Sequence, residues 1–454
     1  MGVMKLILRA VAGPLLALAV AAPAVAQGCM GPCIRDAEIE AILREYSDPL
    51  FAAAGLKPSD VDLYILQDPT LNAFVAGGQR VHVTTGLIMA TDTPEQLKGI
   101  IAHETGHIAG GHNVTRHDAM GAAQGTSLIS IGLGVLAIAA GAPDAGMALI
   151  GSAPQFAMLT FFKFTRDEES SADQYGLSFM EKTGQSADGL VTFMEKFRYE
   201  ELMSERKRDP YFRSHPISSD RIGVIRKRAS EITAKSKPQD QKSIDDLAIM
   251  KAKLIGFIGP PARVANKYPV TDTSVPARYA RAIAAYRAVD IKRGLTETKE
   301  LIDEHPDNPY FNELYGQILF ESGKVQESIE WHRKSVELAP GQPLLKVNLA
   351  RSLSETGTPE NLAEAEGLLV DAIAQEKDNA FAWNQLSNVY GKQNRKGDAD
   401  LAVAEEAFIL GNMPRANVFA NRAVKVLDPS TPNAQRARDI TALADPKARK
   451  GRAG

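Results

Sequence analysis

Pro306 and Pro340 stand 34 residues apart in a stretch that otherwise favours helix, and that spacing limits what the C-terminal part of the chain can become. Proline lacks the amide hydrogen that continues a helix and its ring clashes with the preceding turn, so each of the two ends a helical segment. A period of this length accommodates two short helices and their turns. Such a unit cannot bury its apolar face alone, so successive copies must stack.

Counting from Pro309 as position one, Tyr315, Gly316, Leu319, Ser328 and Ser335 fall where a tetratricopeptide repeat (TPR) sets its packing residues. A degenerate copy carries Trp383, Leu386, Tyr390 and Ala399, and a further helix pair is expected to end at Asp428-Pro429. An unrelated helical bundle is the competing architecture, and the proline spacing favours the repeat. The expected solenoid runs over residues 276–446, and stacked repeats of this kind form a curved surface for peptides or proteins.

The N-terminal half has a different grammar. Val61 to Leu66 reads as a strand, and "NAFVAGGQRVHVTTGLI" as two short strands around a Gly77-Gly78 turn. A helix then opens at "TDTPEQLKGIIAHETGH": Thr93 is a suitable cap, Pro94 suits the first helical position, and Gln96 completes a capping box. The unit is expected over residues 34–235. Residues 236–275, beginning in "AKSKPQDQK", read as a linker with a short helix from about Ile244 to Phe257 and a Pro260-Pro261 break.

The first 26 residues have a basic start at Lys5 and Arg9, an apolar run from Val11 to Ala22 and small residues at Ala24-Val25-Ala26. This pattern predicts a cleaved secretory signal and hence a periplasmic, exported protein; the run is short for a membrane anchor, which needs roughly 20 apolar residues. Cys29 and Cys33 are the two cysteines of the chain and, in an exported protein, are expected to close a small disulfide loop. A net charge of −3 offers no basic footprint for nucleic acid.

Four of the eight histidines lie in "HETGHIAGGHNVTRH". Residues four apart on a helix are offset by about 40° and stack one turn over the next, so His103 and His107 can aim two imidazoles at one point. Glu104 lies about 100° round from His103, near enough to take a proton from a water there without being a ligand. Neutral nitrogens for the ion and a carboxylate for the proton are what zinc hydrolysis needs. The competing view is of polar residues on a half-buried helix. Leu97, Ile101 and Ile108 form the apolar stripe expected to dock the helix, roughly 120° from the histidine pair.

A third ligand is required. His112 misses the metzincin position, which holds Asn113, and follows a Gly110-Gly111 helix break, so a structural or supporting role is assigned to it. His82 and His117 read as ordinary surface or packing residues. In "TRDEESSADQYGLSFM", Glu169 and Asp173 are four apart with the small Ala172 between them. Two readings fit: Glu169 completes a two-histidine, one-glutamate set with Asp173 supporting an imidazole, or Asp167-Glu168-Glu169 is a solvated acidic turn.

"HETGH" followed by "EESSADQYG" resembles the exported and membrane zinc peptidases whose pattern is His-Glu-x-x-His, then Glu-x-x-Ala-Asp. With the leader and the repeats, the chain is similar over nearly its whole mature length to the periplasmic β-barrel-assembly-enhancing protease family. The fold this implies is mainly α: an α+β zincin-like metalloprotease domain with a small sheet, then the TPR solenoid. The resemblance implies one Zn2+ per chain held by His103, His107 and Glu169, Glu104 as general base, and Asp173 as support. In "RSHPISSDRI" it implies that His215 caps the metal's open position and holds the enzyme idle; a histidine merely fixed in a turn by Pro216 is the alternative. The strand around Asn72-Ala73-Phe74 resembles an edge that pairs with an extended substrate backbone. The implied clients are misassembled outer-membrane proteins, with the repeats recruiting the assembly machinery.

Between Gly121 and Phe162 the single charged residue is Asp144. The expectation is a helical hairpin across residues 121–162, buried against the protease core or dipping into a membrane surface; core burial is the first expectation, and the family resemblance, which implies a membrane-facing side here, favours the second. A rival for the whole chain is a TPR chaperone or scaffold whose protease half is silent, although a scaffold has no use for Glu104.

Overall fold

The computed structural model describes residues 31–140, 142–196, 211, 215–217 and 219–445, and among these the side chains of 113–120, 122–123 and 161–162 are left aside. The expected signal segment, Cys29 and the His117 side chain lie outside the described residues.

A small mixed sheet has the strand order β1-β2-β4-β3, with β1 at Cys33–Ile34, β2 at Asp62–Leu66, β3 at Ala73–Ala76 and β4 at Arg80–Thr84. The β3–β4 hairpin turns at Gly77 and Gly78, both at positive φ (59° and 101°), a region where glycine avoids the cost other residues incur. β2 pairs parallel with β4, and β3, paired antiparallel to β4, forms one edge. The two-residue β1 is too short to leave a periodic signal in the sequence. His82, on β4, is fully buried and stacks between Tyr64 and Phe74, with ring centroids 5.2 and 4.8 Å away; its role is packing.

Against the sheet lie α1 (Ala37–Ala53), α2 (Thr85–Ala90) and α3 (Pro94–Ala109). Asp36 caps α1 by accepting from the amides of Glu38 and Ile39. Thr93 Oγ1 accepts from the Gln96 amide, while Gln96 Oε1 accepts from the Asp92 amide at 2.7 Å, so the start of α3 is fixed locally, as the capping pattern requires. The single apolar stripe predicted for α3 gives way to burial on nearly every side: Leu97, Ile100, Ile101, Ala102 and His103 are all inaccessible. α3 is enclosed by α1, by α5 (Pro143–Thr183) and by α6 (Asp188–Glu195).

Two glycines set the distance between α3 and α5. A Cβ on Gly106 would lie 2.4 Å from the Ala172 carbonyl oxygen, and one on Gly176 would lie 3.1 Å from the Ala102 backbone. The helix carrying the histidines and the helix carrying Glu169 therefore touch backbone to backbone.

α4 (His112–Ala139) and the first half of α5 form the apolar hairpin. Its seam is made of small residues, with a Cβ on Gly146 meeting the Gly134 carbonyl oxygen at 2.4 Å and Ser130 Oγ donating to the Leu149 carbonyl at 2.8 Å. Because the seam takes small side chains, the large ones face outward: Leu128, Leu136 and Leu159 are 68, 65 and 59% exposed. The expected burial against the protease core is thus corrected.

The C-terminal half stacks five helix pairs, whose first helices begin at Val275, Pro309, Pro343, Ala380 and Met413. Gly316 and Ser328 are buried where the helices of a pair meet, and a Cβ on Gly316 would strike the His332 ring. Asp428-Pro429 lies in the turn between Met413–Val426 and Pro432–Ala444, so a last helix follows the point at which the sequence suggested an end.

The stretch read as a linker contains the helix Gln241–Ile258, whose Leu247, Met250 and Leu254 join the core of the N-terminal half. Its Lys253, almost wholly buried, reaches Asp36 at 2.8 Å and Glu38 at 3.1 Å, and Tyr279 donates to Glu38 at 3.1 Å. Farther along the repeats, Arg35 pairs with Glu376 at 2.8 Å and Tyr64 donates to Asp378 at 3.3 Å. The repeats are therefore tied to the start of α1 and to the sheet.

Candidate metal centre

The centre is built from α3, the middle of α5 and the segment leading into the helix Ser219–Thr233. On α3, the four-residue spacing aims His103 and His107 the same way, with Nε2 atoms 3.1 Å apart. The Gly106–Ala172 contact brings Glu169 across, with its oxygens 3.4 Å from each of those nitrogens. His215 closes the group, its Nδ1 lying 3.0 Å from Glu169 Oε1 and 3.3 Å from His103 Nε2. Donor atoms of His103, His107, Glu169 and His215 all lie within 4.8 Å of one another.

Atoms that can bear lone pairs thus face one another in a largely buried space. A cation at their midpoint would satisfy them together, and imidazole with carboxylate is a donor set suited to zinc. His103 Nδ1 is 2.9 Å from Asp173 Oδ1. That contact assigns the proton to Nδ1 and turns the Nε2 lone pair toward the cluster. His107 Nδ1 in turn lies 2.9 Å from His112 Nδ1, at the first position of α4 after Gly111 takes φ +68°.

The charges are mutually compensated. Burial opposes a proton on His103, yet its contacts with Asp173 and Glu169 prevail and raise its pKa to about 10, so a cation at the centre would have to displace a proton from Nε2 to use its lone pair. Burial pushes His107 down to about 3. The Glu169 carboxyl, although burial disfavours its charge, is held well below the ordinary carboxylate range by His215, Arg221 and the other two histidines. Glu104 is buried, with Oε1 3.4 Å from His215 Nε2.

Every candidate from the histidine helix, the acidic helix and the His215 segment that was assigned to the centre lies at it. The solvated-turn reading of Glu169 fails on burial, since its exposure is 1%. Cys33 opens β1 and is buried; its predicted partner Cys29 lies outside the described residues.

Two neighbours escaped the sequence reading. Arg221 reaches both Glu169 Oε2, at 2.9 Å, and Asp173. It stands in the quoted "RSHPISSDRI", but nothing in its spacing from His215 marks an arginine that turns back onto another helix. Tyr211, fully buried, accepts the His215 amide on its carbonyl at 2.8 Å and sets its ring 4.8 Å from the imidazole.

Residues 34–229 match the model of Peptidase family M48. The chain is 24% identical to the Beta-barrel assembly-enhancing protease of Escherichia coli (strain K12) over 387 residues, covering 84% of this chain and 77% of that protein. The protein of the same name from Yersinia pestis is 21% identical over 85% of this chain and 79% of its own length. Metalloprotease LoiP of Escherichia coli (strain K12) is 30% identical over 181 residues, which cover 38% of this chain and 64% of that protein.

Proposed function

The chain carries a domain of peptidase family M48 and is a metalloendopeptidase, and from that premise we propose that it is a periplasmic zinc endopeptidase acting on outer-membrane proteins that fail to assemble. The observation that carries the proposal is the convergence of His103, His107 and Glu169 beside the carboxylate of Glu104.

The residues divide the work. His103, His107 and Glu169 would hold the zinc, with Asp173 and Arg221 orienting two of them. Bound there, zinc supplies Lewis-acid polarisation of the scissile carbonyl and makes a neighbouring water easier to deprotonate. Glu104 accepts the proton of the attacking water and passes it to the leaving amine as the peptide bond breaks. The edge strand β3 offers backbone donors and acceptors to an extended substrate, a mode that binds without demanding a sequence. His215 sits where substrate would approach Glu104, so it would have to move, and we assign it the idling role.

The leader-like N-terminus supports export, and the assembly function rests on similarity to the assembly-enhancing proteases. The repeats would recruit clients and the β-barrel assembly machinery. The apolar hairpin would sit peripherally in a membrane surface: α5 is long and apolar enough to cross one, by length and composition.

The deciding experiment is metal content and casein cleavage of the purified protein and of Glu104→Gln. Zinc at one per chain in both, with cleavage lost only in the variant, supports the enzyme. Unchanged cleavage by the variant, or a wild type that binds no zinc, defeats it; retained partner binding with no cleavage by either would favour the scaffold.

A further inference from the structure

Arg351 lies on the helix Pro343–Thr356, half-buried between two aromatic rings. Its guanidinium carbon is 4.8 Å from the Phe320 ring centroid and 5.4 Å from that of Phe381. These residues come from the first helices of three successive repeats, which stand side by side, so they belong to the one face that the first helices form together. Phe381 remains 36% exposed.

Stacking on two rings fixes the plane of a guanidinium but leaves its N–H groups unsatisfied. The carboxylates that could have taken them are engaged elsewhere. Glu321 accepts from Tyr286 and, at 3.1 Å, from Gln317, and Glu355 is held by Lys392 at 3.0 Å. Among the described residues, the Arg351 guanidinium makes no hydrogen bond and no ion pair. A charge withdrawn from water without an acceptor is costly, and burial accordingly lowers the affinity of Arg351 for its proton. Other arginines of the array, such as Arg333 with Glu364 and Arg436 with Glu405, do find carboxylates.

We propose that Arg351, held between Phe320 and Phe381, is a docking site for a carboxylate on an extended peptide segment of a partner or client protein. The planar fork matches a carboxylate with two parallel hydrogen bonds, and the exposed face of Phe381 offers an apolar seat for the side chain beside it. The carboxylate is either a chain terminus or an Asp or Glu side chain; the chemistry is shared. The inference rests on the reading that the repeats recruit proteins and names the chemistry by which they do so.

The test is fluorescence anisotropy with the full-length protein and three labelled peptides: Gly-Ser-Gly-Ser-Tyr-Phe with a free carboxylate, its C-terminal amide, and the amide with aspartate replacing the fourth residue. Binding of the first alone identifies a terminus, and equal binding of the first and third identifies any carboxylate. Arg351→Met should weaken whichever peptide binds at least tenfold with an unchanged or raised thermal midpoint, and Arg351→Lys should weaken it less. Equal binding of all three peptides, no binding of any, full binding by the methionine variant, or a lowered midpoint marking Arg351 as structural would each overturn the proposal. Pull-down of envelope proteins by wild type and variant keeps the two readings apart: capture undiminished in Arg351→Met sinks the carboxylate site and leaves recruitment standing, whereas no capture by either removes the recruitment reading.

Discussion

Arg221 grips Asp173 through one edge of its guanidinium, Nε 2.5 Å from Oδ2 and Nη2 2.8 Å from Oδ1, while Asp173 in turn holds His103. A residue on the helix Ser219–Thr233 thereby fixes the orientation of an imidazole on α3 through a carboxylate on α5.

Arg221→Ala should lower metal affinity by roughly 10–100-fold, the usual cost of removing a residue that orients a ligand. Arg221→Lys should restore little, because a lysine cannot reproduce the paired contact. Zinc titration with a competing chelator reads the effect, and affinity equal to wild type in the alanine variant would remove Arg221 from the centre.

His215→Ala should raise casein cleavage without lowering zinc content, since the side chain that faces Glu104 and Glu169 would no longer need displacing. A fall in zinc content would instead make His215 a required ligand.

Gly106→Val should cost at least the roughly 1–3 kcal/mol typical of overpacking, because its Cβ would meet a backbone carbonyl that cannot rotate away. It should also reduce zinc content by pushing Glu169 from the histidines. Thermal unfolding and metal analysis check both; an unchanged midpoint would mean that α3 and α5 are farther apart than described.

Glu313 is raised to about 7, first by burial and next against the opposing pull of Lys253, with Asp36 and Glu38 adding to the rise. Its folded value lies above the ordinary carboxylate value of about 4.3. The stability tied to its proton is therefore fully present below the unfolded value and is lost as pH rises through 7. The thermal midpoint should fall between pH 5 and pH 8, and Glu313→Gln should flatten that slope. An equal slope in the variant would assign the titration elsewhere.

Replacing Leu128, Leu136 and Leu159 with serine should reduce co-sedimentation with phosphatidylethanolamine–phosphatidylglycerol vesicles and leave casein cleavage intact. Vesicle binding equal to wild type would show that the hairpin serves another contact.

The sequence exposes the parts of this molecule that are local. Thr93, Pro94 and Gln96 mark the start of α3, Gly77-Gly78 the hairpin, and Pro306 and Pro340 the stacking period, because caps, turns and proline breaks act within a few residues. The histidine pair was legible for the same reason. Glu169 was ambiguous because a charge run looks alike whether solvated or buried, and only contact with α3 distinguishes the two. Arg221 was invisible, since its carboxylate partners lie 48 residues or more away and no periodicity connects them. The hairpin was misjudged because apolar composition reports dryness but not what provides it, and a seam of Gly134 and Gly146 leaves the large side chains outside.

The bond from Arg35 to Glu376 spans 341 positions. Contacts of such separation form late, after the chain has lost the entropy of closing a long loop. The catalytic half emerges first from a ribosome or translocon, yet its leading edge cannot make this contact until the third helix pair has arrived. The N-terminal half therefore completes its last contacts only after most of the repeats have been made, so the two halves finish folding as one unit.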